Sequence, residues 1–395
     1  MPQLSPVDAA LARLSAKLAT VDCQLCPLEE AAGRVLGEVL LADRDSPPLD
    51  VSAMDGYALK LSDWDGQRPL PVQATACAGS PPQVLRSGQA IKIFTGGPLP
   101  ADADCVVRRE DTRLDPAGVL VTVPVAKLCR GQNIRRRAEN APRGKPLLEQ
   151  GTLLDAARMA AVASFAAPQL SVRRRVRVAI VNTGDELAQP GAEVADWQIR
   201  DSNGPWLQSW LASCPWVEIV ARQRVRDTLD AVSATLADLL PRCDAVLLTG
   251  GVSMGDTDFV PAAVEALGGE IVFHRLPIRP GKPVLGAAVD GKLVLGLPGN
   301  PASVAVTSRV FGEPLLLRQA GCISSPGRPL VHLADPDDKR LELTWYRLVR
   351  LGDAGQVHLL ASQGSGDVVA LSLSDGFVEL LPGASPSTAV RLTVW

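Results

Sequence analysis

Apolar positions along the chain change their period several times, and each change marks an expected element. After Ser5-Pro-Val-Asp8, residues Val7, Leu11, Leu14 and Leu18 fall on one helical face. Ser5 supplies an N-cap, Pro6 the first helical position and Asp8 an acid in the first turn. A second helix is expected near Leu28–Leu41, before the break at Pro47-Pro48. Between 50 and 142 the apolar runs shorten to strand length. They lie at Val72–Ala76, Ala90–Phe94, Cys105–Arg108 and Val119–Val123, set apart by Gly79-Ser-Pro-Pro82 and Asp115-Pro-Ala-Gly118. Helix returns at Leu153–Ala167.

From Arg177 onward, strand and helix alternate. Strands are expected at Val176–Val181, Val217–Ala221, Ala245–Leu248, Glu270–Phe273 and Leu293–Leu297. Helices are expected at Pro205–Leu211, Leu229–Leu240, Asp258–Leu267 and Pro301–Leu317. That order predicts a three-layer α/β domain, a mostly parallel sheet with helices on both faces. Residues 327–395 read as β again, at Leu341–Val349, Val357–Leu360, Val368–Leu371, Val378–Leu381 and Ala389–Val394. The fold class is therefore multidomain α/β, with a helical N-terminal segment, a β-rich module and a C-terminal β domain.

The 395 residues suit two to three domains, and 46% hydrophobic with 21% charged residues is a globular balance. Aromatics are only 4%, so the cores are aliphatic. Lys+Arg 40 against Asp+Glu 43 leaves −3, which argues against nucleic acid or an anionic membrane as partner. The apolar run Met159–Ala167 is far too short for a membrane span, and the first residues lack the pattern of a secretory signal. Eight dispersed cysteines suit reduced thiols and a cytoplasmic location. Cys23-Gln-Leu-Cys26 stands alone and reads as a plain pair of buried thiols.

Three loops after expected strands carry the candidate chemistry: Asn182–Leu187, Thr249–Asp258 and Gly296–Ser303. Each mixes glycine with Ser, Thr or Asn and leads towards a helix. Glycine admits close backbone approach, and free N–H groups attract anions. The plainer alternative is N-capping by Thr183, Asp258 or Ser303. Asp185, Glu186, Asp256 and Asp258 would repel a bare phosphate, but fit one bridged by Mg²⁺. Alternatively they are first-turn acids favoured by the helix dipole.

Arg275, Arg279 and Lys282 lie in a proline-punctuated loop that could aim cations at an oxyanion, or be merely solvated. Ser52–Tyr57 and Phe94–Pro98 place a carboxylate and a hydroxyl on tight turns, which turn chemistry alone could also explain. Asn133–Asn140 concentrates three arginines, while Arg173–Arg175 with Arg177 reads as a solvated face. No Ser/His/Asp pattern points to an imidazole-based hydrolase. The residues alone thus describe an enzyme handling an anionic, phosphorylated small molecule with a divalent metal.

Quoted in order, the motifs resemble one family over essentially the whole chain. They are Ser52-Ala-Met-Asp-Gly-Tyr-Ala58, Phe94-Thr-Gly-Gly-Pro-Leu-Pro100, Asn133-Ile-Arg135, Thr183-Gly-Asp-Glu-Leu187, Asp201-Ser-Asn203, Gly250-Gly-Val-Ser-Met-Gly-Asp256, Pro280-Gly-Lys-Pro283, Leu297-Pro-Gly-Asn-Pro301 and Gln363-Gly-Ser-Gly366. The chain resembles the molybdopterin molybdotransferases, MoeA-type enzymes related to the E domain of gephyrin. The resemblance implies that adenylylated molybdopterin and molybdate give molybdenum cofactor and AMP, with Mg²⁺.

It further implies a homodimer of four-domain subunits with a shared active site. The domains would be a helical linking domain (1–49 with 143–170), the β-rich module (50–142), a molybdopterin-binding-like α/β domain (171–326) and a C-terminal β domain (327–395). Further partners implied are a molybdopterin adenylyltransferase and apo-molybdoenzymes.

Carried over by motif, Asp55, Glu186 and Thr95 are the implied catalytic residues, with Asp55 and Thr95 coming from the partner chain. Implied substrate contacts are Arg135, Thr183, Gly184, Asp185, Asp227, Gly250, Gly251, Ser253, Asp258, Pro298, Gly299, Asn300 and Pro301. Lys282, Ser303, Arg347 and Ser365 are the implied molybdate set; Asp55, Glu186, Asp256 and Asp258 are the implied metal ligands. Arg275 and Arg279 stand where the family often has lysine, and Asn140 stands where it has a carboxylate. Asn140 is expected either to help hold Mg²⁺ or to serve its turn. Other readings consistent with the residues are a non-catalytic molybdopterin scaffold or carrier and a paralogue that inserts tungstate.

Overall fold

The computed structural model describes residues 5–395, apart from 166–167, 189–190, 192, 254–257 and 325–326. By internal contacts, Met1–Glu38, Gln150–Met159 and Pro168–Trp395 form one unit, and Val39–Glu149 with Ala160–Ala167 form another.

The larger unit starts with a helix over Pro6–Ser15. Ser5 accepts from the Asp8 N–H as its N-cap, and Val7, Ala10 and Leu14 are buried. The helix expected near Leu28–Leu41 does not form. Only a 3₁₀ turn, Leu28–Glu30, appears there. Gly33 follows at φ +72°, with the Pro215 ring where a β-carbon would sit. Strand Cys23–Pro27 instead pairs antiparallel with Gln169–Arg173. The strand separates Cys23, which is exposed, from Cys26, which is buried.

The run at 173–177 is likewise less solvated than expected. Arg174 forms a two-toothed pair with Asp244 at 2.6 and 2.8 Å, which holds the Asp244 carboxyl low against the opposing cost of burial.

The α/β sheet is built from β1 (Val176–Thr183), β2 (Val217–Val225), β3 (Ala245–Thr249) and β4 (Glu270–His274). After the short β5 (Ile278–Arg279), which belongs to the next sheet, come β6 (Leu285–Val289) and β7 (Lys292–Leu297). Their spatial order is β2-β1-β3-β7-β6-β4. The pairings among β2, β1, β3 and β7 are parallel, and those made by β6 are antiparallel. β6 lies in an apolar run to which no strand was assigned from sequence. Separate apolar cores cover the two faces, one gathering Ile180, Leu247, Leu295 and Phe311, the other Val181, Val246, Leu248 and Val294. Each such side chain contributes about 1.5–3 kcal/mol on burial.

The C-terminal sheet adds β8 (Leu330–Val331), β9 (Thr344–Leu351), β10 (Val357–Leu359), β11 (Gly376–Leu380) and β12 (Val390–Val394). It runs β5-β9-β11-β12-β8, with β10 also on β9. Strand alternation puts Tyr346 and Leu348 of β9 in the α/β core, and Trp345 and Val349 in a C-terminal core. The strand expected at Val368–Leu371 is a helix, Val368–Leu373. Its four apolar residues fit either structure by pattern. Asp367 decides, accepting from the Ala370 N–H as N-cap.

The smaller unit holds a four-stranded sheet in the order Val72–Ala76, Ala90–Ile93, Gly56–Leu59, Cys105–Arg108. Gly56 is required at its place, because a β-carbon there would lie 1.9 Å from the Val107 carbonyl oxygen.

Candidate active site

Register aligns the ends of the parallel strands. Asn182 of β1 stands opposite Thr249 of β3, and Thr249 stands opposite Leu297 of β7. On the other side Thr183 is opposite Val225. The loops beginning at Thr183, Gly250 and Pro298 therefore leave one carboxyl edge, where open α/β sheets take ligands. Asp227 follows Val225 at that edge, one residue before Thr228, which caps the helix Leu229–Leu239.

Asn182 donates to the Thr249 hydroxyl at 2.7 Å, and His274 donates from Nε2 to the Val252 carbonyl at 2.7 Å. These bonds brace the second loop. Gly250 is at φ +86°, and a β-carbon there would meet the Thr183 carbonyl and hydroxyl oxygens at 2.8 Å. The backbone thus crosses with no room for a side chain. Gly251 and Ser253 continue the loop, and Ser253 reaches a cavity wall. Asp256 lies outside the described residues. Asp258 precedes the helix Val260–Ala266. Glu186 is exposed and folds back so that its carboxylate lies over Gly184; Asp185 beside it is exposed.

Beside the third loop lies a cavity of about 500 Å³. Its wall contains Arg279, Lys282, Ser253, Asn300, Ser303 and Ser365, with Pro298 and Gly299, and no carboxylate among the described residues. Two cations, hydroxyls and an amide with no acid are the chemistry that suits an anion. These residues come from four segments, around Ser253, Arg279–Lys282, Pro298–Ser303 and Ser365.

Gly281, at φ +96°, lets the Arg279–Pro283 loop press against Thr307, whose methyl would lie 2.3 Å from a β-carbon. Asn203 donates to the Gly299 carbonyl at 2.7 Å, while its own Oδ1 is buried without a partner. Asp201 accepts from the Gly204 N–H and from Arg222, anchoring the helix that Asn203 begins. Pro301 starts the next helix. Asn300 donates to the Ser365 hydroxyl at 2.8 Å, and the Ala302 N–H donates to the Ser365 carbonyl at 3.0 Å. Asp367 holds the Gln363 N–H as well as capping its helix, which shapes the loop presenting Ser365.

The structure therefore brings Lys282, Ser303 and Ser365 together. Arg347 is not in that wall. Both its terminal nitrogens donate to Asp337 at 2.7 Å, and its guanidinium stacks 4.4 Å from the centre of the Trp345 ring. Asp337, Trp345 and Asp367 escaped the sequence reading. The signal for Asp367, an acid three residues before the third residue of an apolar run, was present; the other two depend on strand pairing.

Within the smaller unit, Asp55 and Thr95 meet. The Thr95 N–H and hydroxyl both donate to Asp55 Oδ1 at 2.8 Å, and these bonds lower the carboxyl's pKa. Ser52 ties the two motifs, its N–H to the Gly97 carbonyl and its carbonyl to the Gly96 N–H. The arginine run nearby is paired off: Arg135 with Glu139 and Asn140, Arg136 with Asp50, Arg137 with Asp45. The Asn140 carbonyl accepts from Arg135 at 2.7 Å, and its amide donates to Ser46 at 3.1 Å. Both ends of that side chain are used inside the turn, in keeping with the turn alternative.

No group of three or more His, Cys, Asp or Glu among the described residues forms a protein-only metal cage. Asp55 Oδ2 and the exposed Glu186 still suit Mg²⁺, which binds through one or two carboxylates together with substrate phosphates and water. The donor chemistry fits the ion on those terms.

Fold and site define a multidomain α/β protein with a cavity lined by cations and hydroxyls at the carboxyl edge of its sheet. Residues 5–166 match the family described as "MoeA N-terminal region (domain I and II)", and residues 179–318 match "Probable molybdopterin binding domain". A molybdopterin molybdenumtransferase of Synechococcus elongatus is 35% identical over 380 residues, covering 92% of each chain. One from Nostoc is 33% identical over 375 residues, covering 91% of this chain and 85% of its own. A solved MoeA protein from Pyrococcus horikoshii superposes with TM-score 0.83 over 100% of both chains at 26% identity. The chain belongs to the molybdopterin molybdenumtransferase family. No helix among the described residues is long and apolar enough to cross a membrane.

Proposed function

We propose that the chain inserts molybdate into adenylylated molybdopterin, forming molybdenum cofactor and releasing AMP. The observation that carries this reading is the cavity wall, where Arg279 and Lys282 meet Ser253, Ser303, Ser365 and Asn300 with no carboxylate. Two cations match the charge of a tetrahedral dianion, and the hydroxyls and amide supply neutral hydrogen bonds around it. Gly250, Gly251 and Gly299 leave backbone accessible for a pterin phosphate at the edge where Thr183 ends its strand. Asp55, Glu186 and Asp258 would hold Mg²⁺, which neutralises phosphate charge when bound. Asp55, kept ionised by Thr95, and Glu186 would orient the phosphate end of the substrate. Lys282 and the serines would seat the incoming oxyanion.

Incubating the purified chain with adenylylated molybdopterin, Mg²⁺ and molybdate should release AMP; none released with authentic substrate overturns the reading. Asp55 and Glu186 lie in different units of the chain. In a dimer with shared sites, mixed Asp55→Ala and Glu186→Ala subunits should regain activity, since one of two sites is then intact. Failure despite verified subunit exchange removes the shared site. The four-domain division and a cytoplasmic setting belong to this same reading.

A further inference from the structure

We propose that Trp345 is a positioning residue that fixes Arg279 at the mouth of the cavity, and that arginine at 279 is matched to this indole. The inference rests on the oxyanion reading of the cavity. β5 pairs in parallel with β9, and their register sets Arg279 directly beside Trp345. The Arg279 guanidinium lies 5.5 Å from the centre of the Trp345 ring, and that of Arg347 lies 4.4 Å from it. The indole thus meets two cations with different fates. Arg347 is locked in a two-toothed pair with Asp337. Among the described residues Arg279 makes no hydrogen bond or ion pair, and it lines the cavity.

An exposed arginine otherwise samples many rotamers. A flat aromatic face restricts the guanidinium plane while leaving its N–H edge free. That edge can present two parallel donors to two oxygens of a tetrahedral oxyanion, beside the point charge of Lys282. A lysine at 279 has no plane to stack. Trp345 is itself partly buried in the C-terminal core with Val349, Val378 and Leu380, so it is a fixed support. Arg347, held by Asp337, packs against the same ring.

The test uses the full chain and titrates molybdate, then tungstate, by calorimetry and by the concentration giving half-maximal AMP release. Trp345→Leu and Arg279→Lys should each raise the oxyanion dissociation constant about 5–10-fold. Trp345→Phe, which keeps an aromatic face, should stay within about twofold. The double variant Trp345→Leu/Arg279→Lys should be no weaker than either single variant, because both remove one contact. AMP release at saturating oxyanion, and affinity for the adenylylated pterin, should hold in Trp345→Leu and Trp345→Phe, where Arg279 is intact. A folded Trp345→Leu with wild-type oxyanion affinity overturns the inference, as do additive losses in the double variant. Should Trp345→Leu not fold, Arg279→Lys decides, and wild-type affinity there overturns it equally. Failure of the wild-type chain to bind either oxyanion would instead overturn the functional reading, and this inference with it.

Discussion

Two stretches of this chain look alike in sequence and are opposites in space. Arg135–Arg137 puts three guanidiniums in a row, and the Arg275–Lys282 loop also carries three cations. In the first stretch each arginine meets an acid: Glu139, Asp50 or Asp45. In the second, Arg279 and Lys282 face a cavity whose described wall has no carboxylate. Counting charges along a sequence does not distinguish the two. What separates them is where the acids fall, and Asp45 and Asp50 approach their arginines from about ninety residues away in sequence. A paired run fastens a loop; Arg279 and Lys282 are left facing an acid-free wall.

The contrast can be broken most sharply at Lys282. Lys282→Ala should weaken molybdate by about 1.5–3 kcal/mol, roughly 10–150-fold. The molybdate concentration for half-maximal AMP release reads this directly, and the affinity for adenylylated pterin should barely move. If the pterin affinity falls and the molybdate requirement does not, the anion site is elsewhere.

Next in size is the acid limb of the activity profile. Thr95 lowers the Asp55 pKa through its N–H and its hydroxyl. Thr95→Val keeps the first bond and removes the second. The carboxyl should then rise towards its ordinary range, so that activity is lost at a higher pH on the acid side. A pH–rate comparison of the two proteins measures this shift, and superposable acid limbs would remove Asp55 from the ionisations that matter.

Arg136→Ala should do the reverse of Lys282→Ala. It should cost about 0.5–1 kcal/mol of stability, as expected for a partly exposed pair with Asp50. Molybdate affinity should remain as in the wild type. Denaturant melts beside calorimetric titrations of the same samples would show whether this run only fastens its loop.

The smallest effect is expected from Asn140→Asp. The new carboxylate keeps the bond to Arg135 and can accept from the Ser46 hydroxyl where the amide donated to it, so the Mg²⁺ requirement for AMP release should be unchanged. A lower requirement would restore a metal role to this position.

Much of the α/β domain was legible because its strands are apolar runs ended by glycine loops, a strong and local signal. Val176, Val217 and Ala245 each begin a strand where the pattern placed them. The three loops could be placed at one edge because parallel strands put equivalent ends together. What escaped was non-local or degenerate. Val368–Leu373 is apolar enough for either structure, and one capping carboxylate settles it. The segment after Cys23 was read by its own pattern, yet it is shaped by a partner strand near Gln169. By sequence, Arg347 reads as a cation for an oxyanion and Arg174 as part of a solvated face. Only folding reveals that Asp337 and Asp244 already engage them.

The bond from Asn300 to Ser365 joins residues 65 apart in sequence. One wall of the cavity is therefore on loan from the C-terminal segment, and it exists only while that segment stays docked. Local opening of native proteins takes less free energy than global unfolding. Such an opening here would empty the cavity while leaving the parallel sheet intact. Oxyanion affinity is accordingly a sensor of C-terminal integrity. Mild heat or low denaturant should abolish it before any loss of helical signal, and a saturating oxyanion should protect the Gln363–Gly366 amides from hydrogen exchange.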